Sequence, residues 1–199
     1  MKKQLFLAMA VVLAAGLTSC GSKKQVAQPA SARGDVEIEV PCKETGFDDS
    51  DYFRGTGTST AINKQSARTA ALENAKGVIR RKLGGFVQGL SADYSTAVAG
   101  QAQADKVQRL METEMNEVVE RMLNDAEQIC EKMFITGNTG QYESWISLQI
   151  PKKMMIEKME QALTSDEELE VYFKREEFRK YAEDKIQKMK EARKEATGR

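Results

Sequence analysis

The sequence contains no histidine among its 199 residues. Without an imidazole there can be no Ser–His or Cys–His nucleophile pair, no histidine-ligated zinc and no histidine-bound haem. The chain also lacks an excess of charge of either sign, because 30 basic residues balance 30 acidic ones. Phosphate contacts need a surplus of basic side chains, so the composition argues against nucleic acid as a partner.

A long hydrophobic run is absent as well. The apolar stretch at residues 5–17 is shorter than the roughly 20 residues that a membrane-spanning helix requires. It follows Lys2 and Lys3 and ends in Leu-Thr-Ser before Cys20. A basic start, a short apolar segment and small residues before a cut site are typical of a secretory signal, and this one resembles bacterial lipoprotein signals. The resemblance implies a signal peptide over residues 1–19, with acyl chains such as palmitate on Cys20.

Cysteine is scarce, with three residues in the chain. If Cys20 carries the lipid, Cys42 and Cys130 remain. In an oxidising envelope compartment these two could pair and close a long loop, which would stabilise the fold by about 4 kcal/mol. The alternative is two free thiols, one in a loop and one partly buried in a strand.

Residues 20–35 are small and polar, and they have almost no apolar surface to bury. We expect a flexible tether with a mean reach on the order of 20 Å. The residues directly after Cys20, Gly-Ser-Lys-Lys, lack the acidic run that resembles surface-export signals. We therefore expect a periplasm-facing position at the outer membrane, with the membrane bound through the acyl chains on Cys20.

Residues 36–164 alternate between the periods of strands and helices. Strands are predicted at residues 36–40, 54–60, 128–136 and 142–150, the last two forming a hairpin. A helix capped by Thr60 or Asn63 is expected to loosen or break at Gly84-Gly85, and residues 91–104 are expected to connect it to a second helix. The prediction is an α+β fold, with a small, mostly antiparallel sheet of about four strands packed by two or three helices.

The last part of the chain, residues 165–199, predicts one long, charged, amphipathic helix. Ser165 and Glu168 have the spacing of a capping box at its start. Its thin apolar stripe needs a surface to lie on, which could belong to the same domain, a second copy or another envelope protein. We expect a partner protein or self-association through residues 166–196.

A family resemblance rests on Gly-Thr-Gly-Thr-Ser-Thr at residues 55–60 and the alanine-rich stretch at residues 67–76. The pair resembles the domain of the 20-kilodalton membrane-associated lipoprotein family, which also occurs at the start of a periplasmic flagellar assembly protein. The likeness covers residues 36–163 by the order of elements, although Thr58 stands where the family often has a small apolar residue. It implies a non-catalytic, lipid-anchored envelope protein.

Several patterns could indicate hidden chemistry, and each has a simpler interpretation. Gly55 and Gly57 lack the third glycine or the lysine of a nucleotide loop, which favours close backbone packing. Acidic residues in the first loop could bind calcium but fit turn hydrogen bonding better. Helical methionines could bind cuprous ion but fit a core better. A paired-carboxylate site of the glycosidase kind is the last alternative, and its candidates are Asp125, Glu131 and Glu143.

We therefore predict no catalytic, cofactor or metal site and no enzymatic activity. The expected function is a non-catalytic interaction or scaffold module of the cell envelope. The alternative is a ligand-binding or hydrolytic lipoprotein that acts on wall fragments or lipids. A pocket lined by Trp145, Tyr142 and a carboxylate would favour this alternative.

Overall fold

The computed structural model describes residues 39–137 and 139–197. It has an α+β fold, as the sequence predicts, in which three strands and four helices follow one another along the chain. The elements are β1 (Tyr52–Ala61), α1 (Lys64–Ala99), α2 (Gln101–Asn124), β2 (Glu127–Ile135), β3 (Tyr142–Pro151), α3 (Lys152–Ser165) and α4 (Arg175–Thr197). The signal peptide, Cys20 and the tether lie outside the described residues.

The sheet has three strands rather than about four. Most of the additional strand predicted at residues 36–40 lies outside the described residues. Its last two positions, Glu39 and Val40, are described and are not in a strand. The chain turns at once there, because the Lys43 amide donates to the Val40 carbonyl at 3.2 Å.

The strands are antiparallel in the order β1-β3-β2, which places the hairpin strand β3 at the centre. Gly55 lies opposite Leu148, and Thr58 lies opposite Trp145. Alternation along the strands sends one set of side chains toward the helices and the other set to the outer face. The buried apolar members of the helix-facing set are Phe53, Ile146, Leu148 and Ile150.

The two glycines of β1 let α1 approach the sheet closely. A Cβ at Gly57 would lie 2.2 Å from the Ala75 nitrogen and 2.3 Å from the Ala71 oxygen. A Cβ at Gly55 would lie 2.9 Å from the Ala75 oxygen. Ala71 and Ala75 are themselves fully buried, so small residues face small residues across the contact. The packing interpretation of these glycines is confirmed.

Helix α1 is one unbroken helix of 36 residues, so the predicted break and connector are wrong. Asn63 caps it by accepting a hydrogen bond from the Ser66 amide at 2.8 Å. The buried stripe continues through Leu90 and Tyr94, and this burial holds the helix across Gly84-Gly85. The chain turns only at Gly100, whose φ is 64°.

The capping box predicted at Ser165 is also wrong. Ser165 is the last residue of α3, and its hydroxyl donates back to the Gln161 carbonyl at 2.8 Å. The next residue supplies the cap-like contact, because Asp166 Oδ1 accepts from the amides of Glu168 and Leu169 at 2.8 and 2.9 Å. A turn follows, and α4 begins only at Arg175.

Helix α4 packs against its own domain. Phe178 and Ala182 are fully buried. The ring of Tyr94 on α1 lies edge-on to Phe178 at 5.6 Å and to Tyr181 at 5.8 Å, and its hydroxyl accepts from the Lys174 amide at 2.7 Å. The sequence left three possible surfaces for the apolar stripe. In the described residues, the stripe lies on its own domain.

Candidate functional site

Cys42 and Cys130 form a disulfide, with the sulfur atoms 2.04 Å apart and the Cα atoms 5.9 Å apart. This is the pairing that the sequence left open against two free thiols. The bond joins the turn before β1 to the edge strand β2, across 88 residues of chain. It therefore fixes an irregular segment to the regular part of the fold.

The disulfide holds residues 40–47 on the outer face of the sheet. The Ser147 hydroxyl lies 3.4 Å from the Cys42 carbonyl and 2.5 Å from the Thr56 hydroxyl. Gly46 sits so close to Thr56 that a Cβ there would meet its hydroxyl at 2.1 Å. We call residues 40–47 the disulfide-held segment.

The acidic residues that follow this segment bind the turn before β1. Asp48 Oδ1 accepts from the Arg54 amide at 2.6 Å and from Lys82 Nζ at 2.9 Å. Asp49 Oδ1 accepts from the amides of Asp51 and Tyr52, both at 2.8 Å. Burial works to raise the pKa of Asp49, but these two amides and the Arg54 charge outweigh it and hold the pKa below its usual value. The carboxylates are thus used in turn hydrogen bonding.

An open groove of about 960 Å³ lies between this loop region and the C-terminal half of α4. Its walls come from the disulfide-held segment, the start of β1, the start of α3 and α4. We call it the basic groove, because cations surround an apolar floor. The lining residues are Lys43, Phe47, Asp48, Asp49, Ser50, Phe53, Lys152, Ile186, Gln187, Met189, Lys190, Arg193 and Lys194.

Lys152 is the most buried cation of the basic groove, with 6% of its surface exposed. Its Nζ donates to the Asp49 carbonyl and lies 5.0 Å from the centre of the Phe53 ring. Burial lowers the pKa of Lys152, because the charged amine loses water. The nearby charge of Lys190 lowers it further, against the opposing effect of Asp48 and the other loop carboxylates.

The other cations of the basic groove are less buried. Arg193 donates to the Asp48 carbonyl and lies over the Phe47 ring at 5.1 Å. Lys43, Lys190 and Lys194 form no ion pair with any carboxylate of residues 39–137 and 139–197. Helix α3 starts at Lys152 without a side-chain cap, so the positive end of its dipole lies at the same place.

A second groove, of about 570 Å³, lies between α2 and α3. It is lined by both signs of charge, with Glu114, Glu117 and Asp125 beside Arg121 and Lys158. None of these ionisable side chains is buried. Because its charges are mixed and exposed, this groove favours no particular class of ligand, in contrast to the basic groove.

The structure does not bring together the three carboxylates that were the candidates for a paired site. Glu131 pairs with Arg68 of α1 at 2.9 Å and lies opposite Ile146. Glu143 accepts a hydrogen bond from the Trp145 indole at 3.0 Å, on the other face of the sheet. Asp125 lines the α2–α3 groove. Neither Trp145 nor Tyr142 lines that groove or the basic groove.

The methionines of the helices that could have bound cuprous ion lie mostly in the core instead. Met111, Met115, Met155 and Met159 are buried in the core. Their packing follows the helical stripes, as predicted, but Met154, which was predicted to pack with Met155 and Met159, is 47% exposed. Among the described residues, no group of three or more His, Cys, Asp or Glu side chains is placed to hold a metal ion.

Sequence reasoning missed the basic groove. Lys152 and Lys190 are far apart in the chain, and both occur in charged helical stretches that resemble ordinary solvated faces. They come together only because α4 folds back along α1. The one local signal was the loop of acids before β1, which predicted a turn but not a wall of a groove.

No family model, curated protein or solved structure matches this chain. The resemblance to the 20-kilodalton lipoprotein family therefore stays a prediction. Within residues 39–197, the described helices are all too short or too polar to cross a bilayer.

Proposed function

We propose that this protein is a lipid-anchored protein of the bacterial cell envelope that acts as a non-catalytic interaction or scaffold module. Acyl chains on Cys20 hold it at the outer membrane, facing the periplasm, and residues 21–35 let the folded body reach away from the lipid. The observation that carries the proposal is the Cys42–Cys130 disulfide behind a lipoprotein-like signal. Structural disulfides are typical of oxidising compartments, which is where such a signal leads.

The binding surface in this proposal belongs to α4, within residues 166–196. The apolar stripe of α4 is already buried against α1, as the burial of Phe178 and Ala182 shows. What α4 offers to a partner is its charged outer side and the basic groove beside its C-terminal half. Self-association through the apolar stripe would require α4 to leave its own domain, so we favour contact with another molecule.

The alternative, a lipoprotein that binds or hydrolyses wall fragments or lipids, gains support from the basic groove in its binding form. Cations beside an apolar floor can hold an anionic ligand, but they do not by themselves supply a nucleophile and its base. Trp145 and Tyr142, which would favour this alternative if they lined a pocket, line neither the basic groove nor the α2–α3 groove.

Membrane fractionation of the native chain and a Cys20→Ala variant tests the proposal. The native chain should fractionate with membranes and carry acyl mass, and the variant should carry none. Ser22→Ala is the matched control, because it changes the neighbouring sequence but keeps the acylation site. Crosslinking in native membranes should then capture a specific envelope partner. A Cys20→Ala chain with the fractionation and mass of the native one, or no partner in the anchored form, would contradict the proposal.

A further inference from the structure

The lysines and the apolar floor of the basic groove limit the kind of ligand that it can bind. We propose that it binds a single-chain anionic lipid, with the carboxylate head between Lys152 and Lys190 and the acyl chain along Ile186 and Met189. The inference deepens the ligand-binding form of the proposed function and rests on it. It does not depend on the acylation of Cys20.

The lysines of the basic groove are incompletely neutralised. Lys152 is buried with only a carbonyl and a ring as direct partners, although the charges of Asp48, Asp49 and Asp51 act on it against the charge of Lys190. Lys43 and Lys194 line the same groove and form no ion pair with a described carboxylate. The two acids of the lining, Asp48 and Asp49, already bind Lys82, Arg54 and backbone amides. A ligand anion would thus meet an excess of lysines over available carboxylates, one of them, Lys152, in a buried position where electrostatic attraction is strong.

The floor of the groove is apolar, so we expect the ligand to have an apolar part as well as a charge. Phe53 is buried beneath it, and Ile186 and Met189 are half-buried along α4. Phe47 leaves 50% of its surface exposed at the rim. A small inorganic anion would leave this apolar surface in water, whereas an acyl chain would cover it and remove it from water, which favours binding.

The size of the groove fits a small molecule better than a folded partner. Its volume of about 960 Å³ lies at the upper end of the range for small-molecule sites, roughly 300–1,000 Å³. A chain of a dozen or so carbons with one charged end could contact both the apolar residues and the lysines of the lining.

Calorimetry with sodium laurate below its micelle concentration tests the inference. The full chain with Cys20→Ser is used, because it lacks its own acylation site and keeps every groove residue. Dodecanol and acetate are the ligand controls, since each carries only one half of the proposed chemistry. Laurate should bind at least about tenfold more tightly than dodecanol, the difference that about 1.4 kcal/mol of head-group attraction provides.

A matched pair of variants on α4 locates the site. Lys190→Glu reverses the charge beside Lys152 and should weaken laurate binding at least about tenfold. Lys188→Glu makes the same change at an exposed α4 position outside the groove lining and should change affinity less than about twofold. Both variants should keep the circular dichroism spectrum of the parent, because neither lysine is fully buried.

Equal binding of laurate and dodecanol, or equal effects of the two variants, would overturn the inference. Binding of an acidic amphipathic peptide without any binding of laurate would overturn it in favour of a protein partner. These outcomes are separate from the proposed function, because failure of laurate binding leaves the acylation of Cys20 untouched. Conversely, an unmodified Cys20 would leave laurate binding unchanged.

Discussion

At the scale of single residues, the close packing of β1 on α1 depends on glycine having no side chain. Gly57 brings β1 against the backbone of α1, where any side chain would collide with main-chain atoms. Main chain cannot rotate away as a side chain can, so the sheet and the helix would have to separate. Gly85, in contrast, lies exposed inside α1, and a Cβ added there would have no neighbouring atom within 4 Å.

These two glycines should respond in opposite directions to the same substitution. Gly57→Ala should lower the free energy of unfolding by about 1–3 kcal/mol or more through overpacking. Gly85→Ala should raise it by about 0.5–1 kcal/mol, because alanine favours helix. Urea unfolding of both variants measures this. A neutral Gly57→Ala would contradict the close approach of β1 and α1.

The glycine spacing of β1 was predictable because it is local and rests on few residues. The burial that carries α1 across Gly84-Gly85 was not, since it depends on distant partners: Phe86 packs on Phe53 of β1, and Tyr94 packs on Phe178 of α4. The prediction of a break followed intrinsic helix propensity, and tertiary packing outweighed it. The residues that line the basic groove are also far apart in the sequence, so the groove was not predicted.

A second residue-scale prediction concerns acid stability. The hydrogen bond from Arg68 holds the pKa of Glu131 below its usual value of 4.5, although partial burial opposes the shift. Because the folded-state pKa lies below the unfolded one, the ionised pair stabilises the fold above about pH 4.5. This contribution disappears as the pH falls through the lowered value.

Glu131→Gln should therefore cost stability at pH 7 but little at pH 3. Both partners are about a third exposed, so the loss at pH 7 should stay under about 1 kcal/mol. Glu117→Gln is the control, because Glu117 is exposed and its carboxylate forms no ion pair with a described residue. Urea unfolding at both pH values measures the difference. A gap between Glu131→Gln and the parent that widens in acid would contradict this assignment.

At the scale of elements, α4 is fastened to the domain by charge as well as by rings. Both carboxylate oxygens of Glu160 accept from Arg179, at 2.9 and 2.8 Å. The Glu160 side chain is only 6% exposed, whereas that of Arg179 is 43% exposed. Removing the arginine would leave a buried carboxylate without a partner, which costs more than the pair itself contributes.

Arg179→Met should destabilise the protein measurably and make the turn before α4 easier to cleave. The double change with Glu160→Met should recover much of that loss, because no buried charge remains. Lys180→Met is the matched control at the next, exposed position, where no ion pair exists among the described residues. Limited proteolysis and urea unfolding follow both effects. Equal behaviour of Arg179→Met and Lys180→Met would contradict the docked position of α4.

At the scale of the whole molecule, the Cys42–Cys130 disulfide bears on the compartment of the protein, on the position of residues 40–47 and on one wall of the basic groove. The disulfide fixes residues 40–47, and two of these residues, Lys43 and Phe47, line the basic groove. Reduction should cost about 4–5 kcal/mol, given the sequence separation of 88 between the two cysteines. It should also free one wall of the groove while the packing of β1 and α1 stays in place.

Hydrogen exchange with and without reductant checks this prediction. Amides of residues 40–50 should lose protection first, and those around Ala71 and Ala75 should keep theirs as long as the chain stays folded. Laurate binding should weaken in step, because the Lys43 wall moves. A reduced chain with unchanged exchange in residues 40–50 would show that the disulfide does not hold this segment.

The proposed role depends on export of the protein into an oxidising envelope compartment and on its attachment there by lipid on Cys20. Non-reducing peptide mass spectrometry of the protein isolated from its own membranes tests both the oxidised state of Cys42 and Cys130 and the acylation of Cys20. We predict an amino terminus at Cys20 that bears acyl chains, together with a linked pair of peptides containing Cys42 and Cys130. An unmodified Cys20 preceded by residues 1–19, or free thiols at both of the other cysteines, would contradict the proposed role.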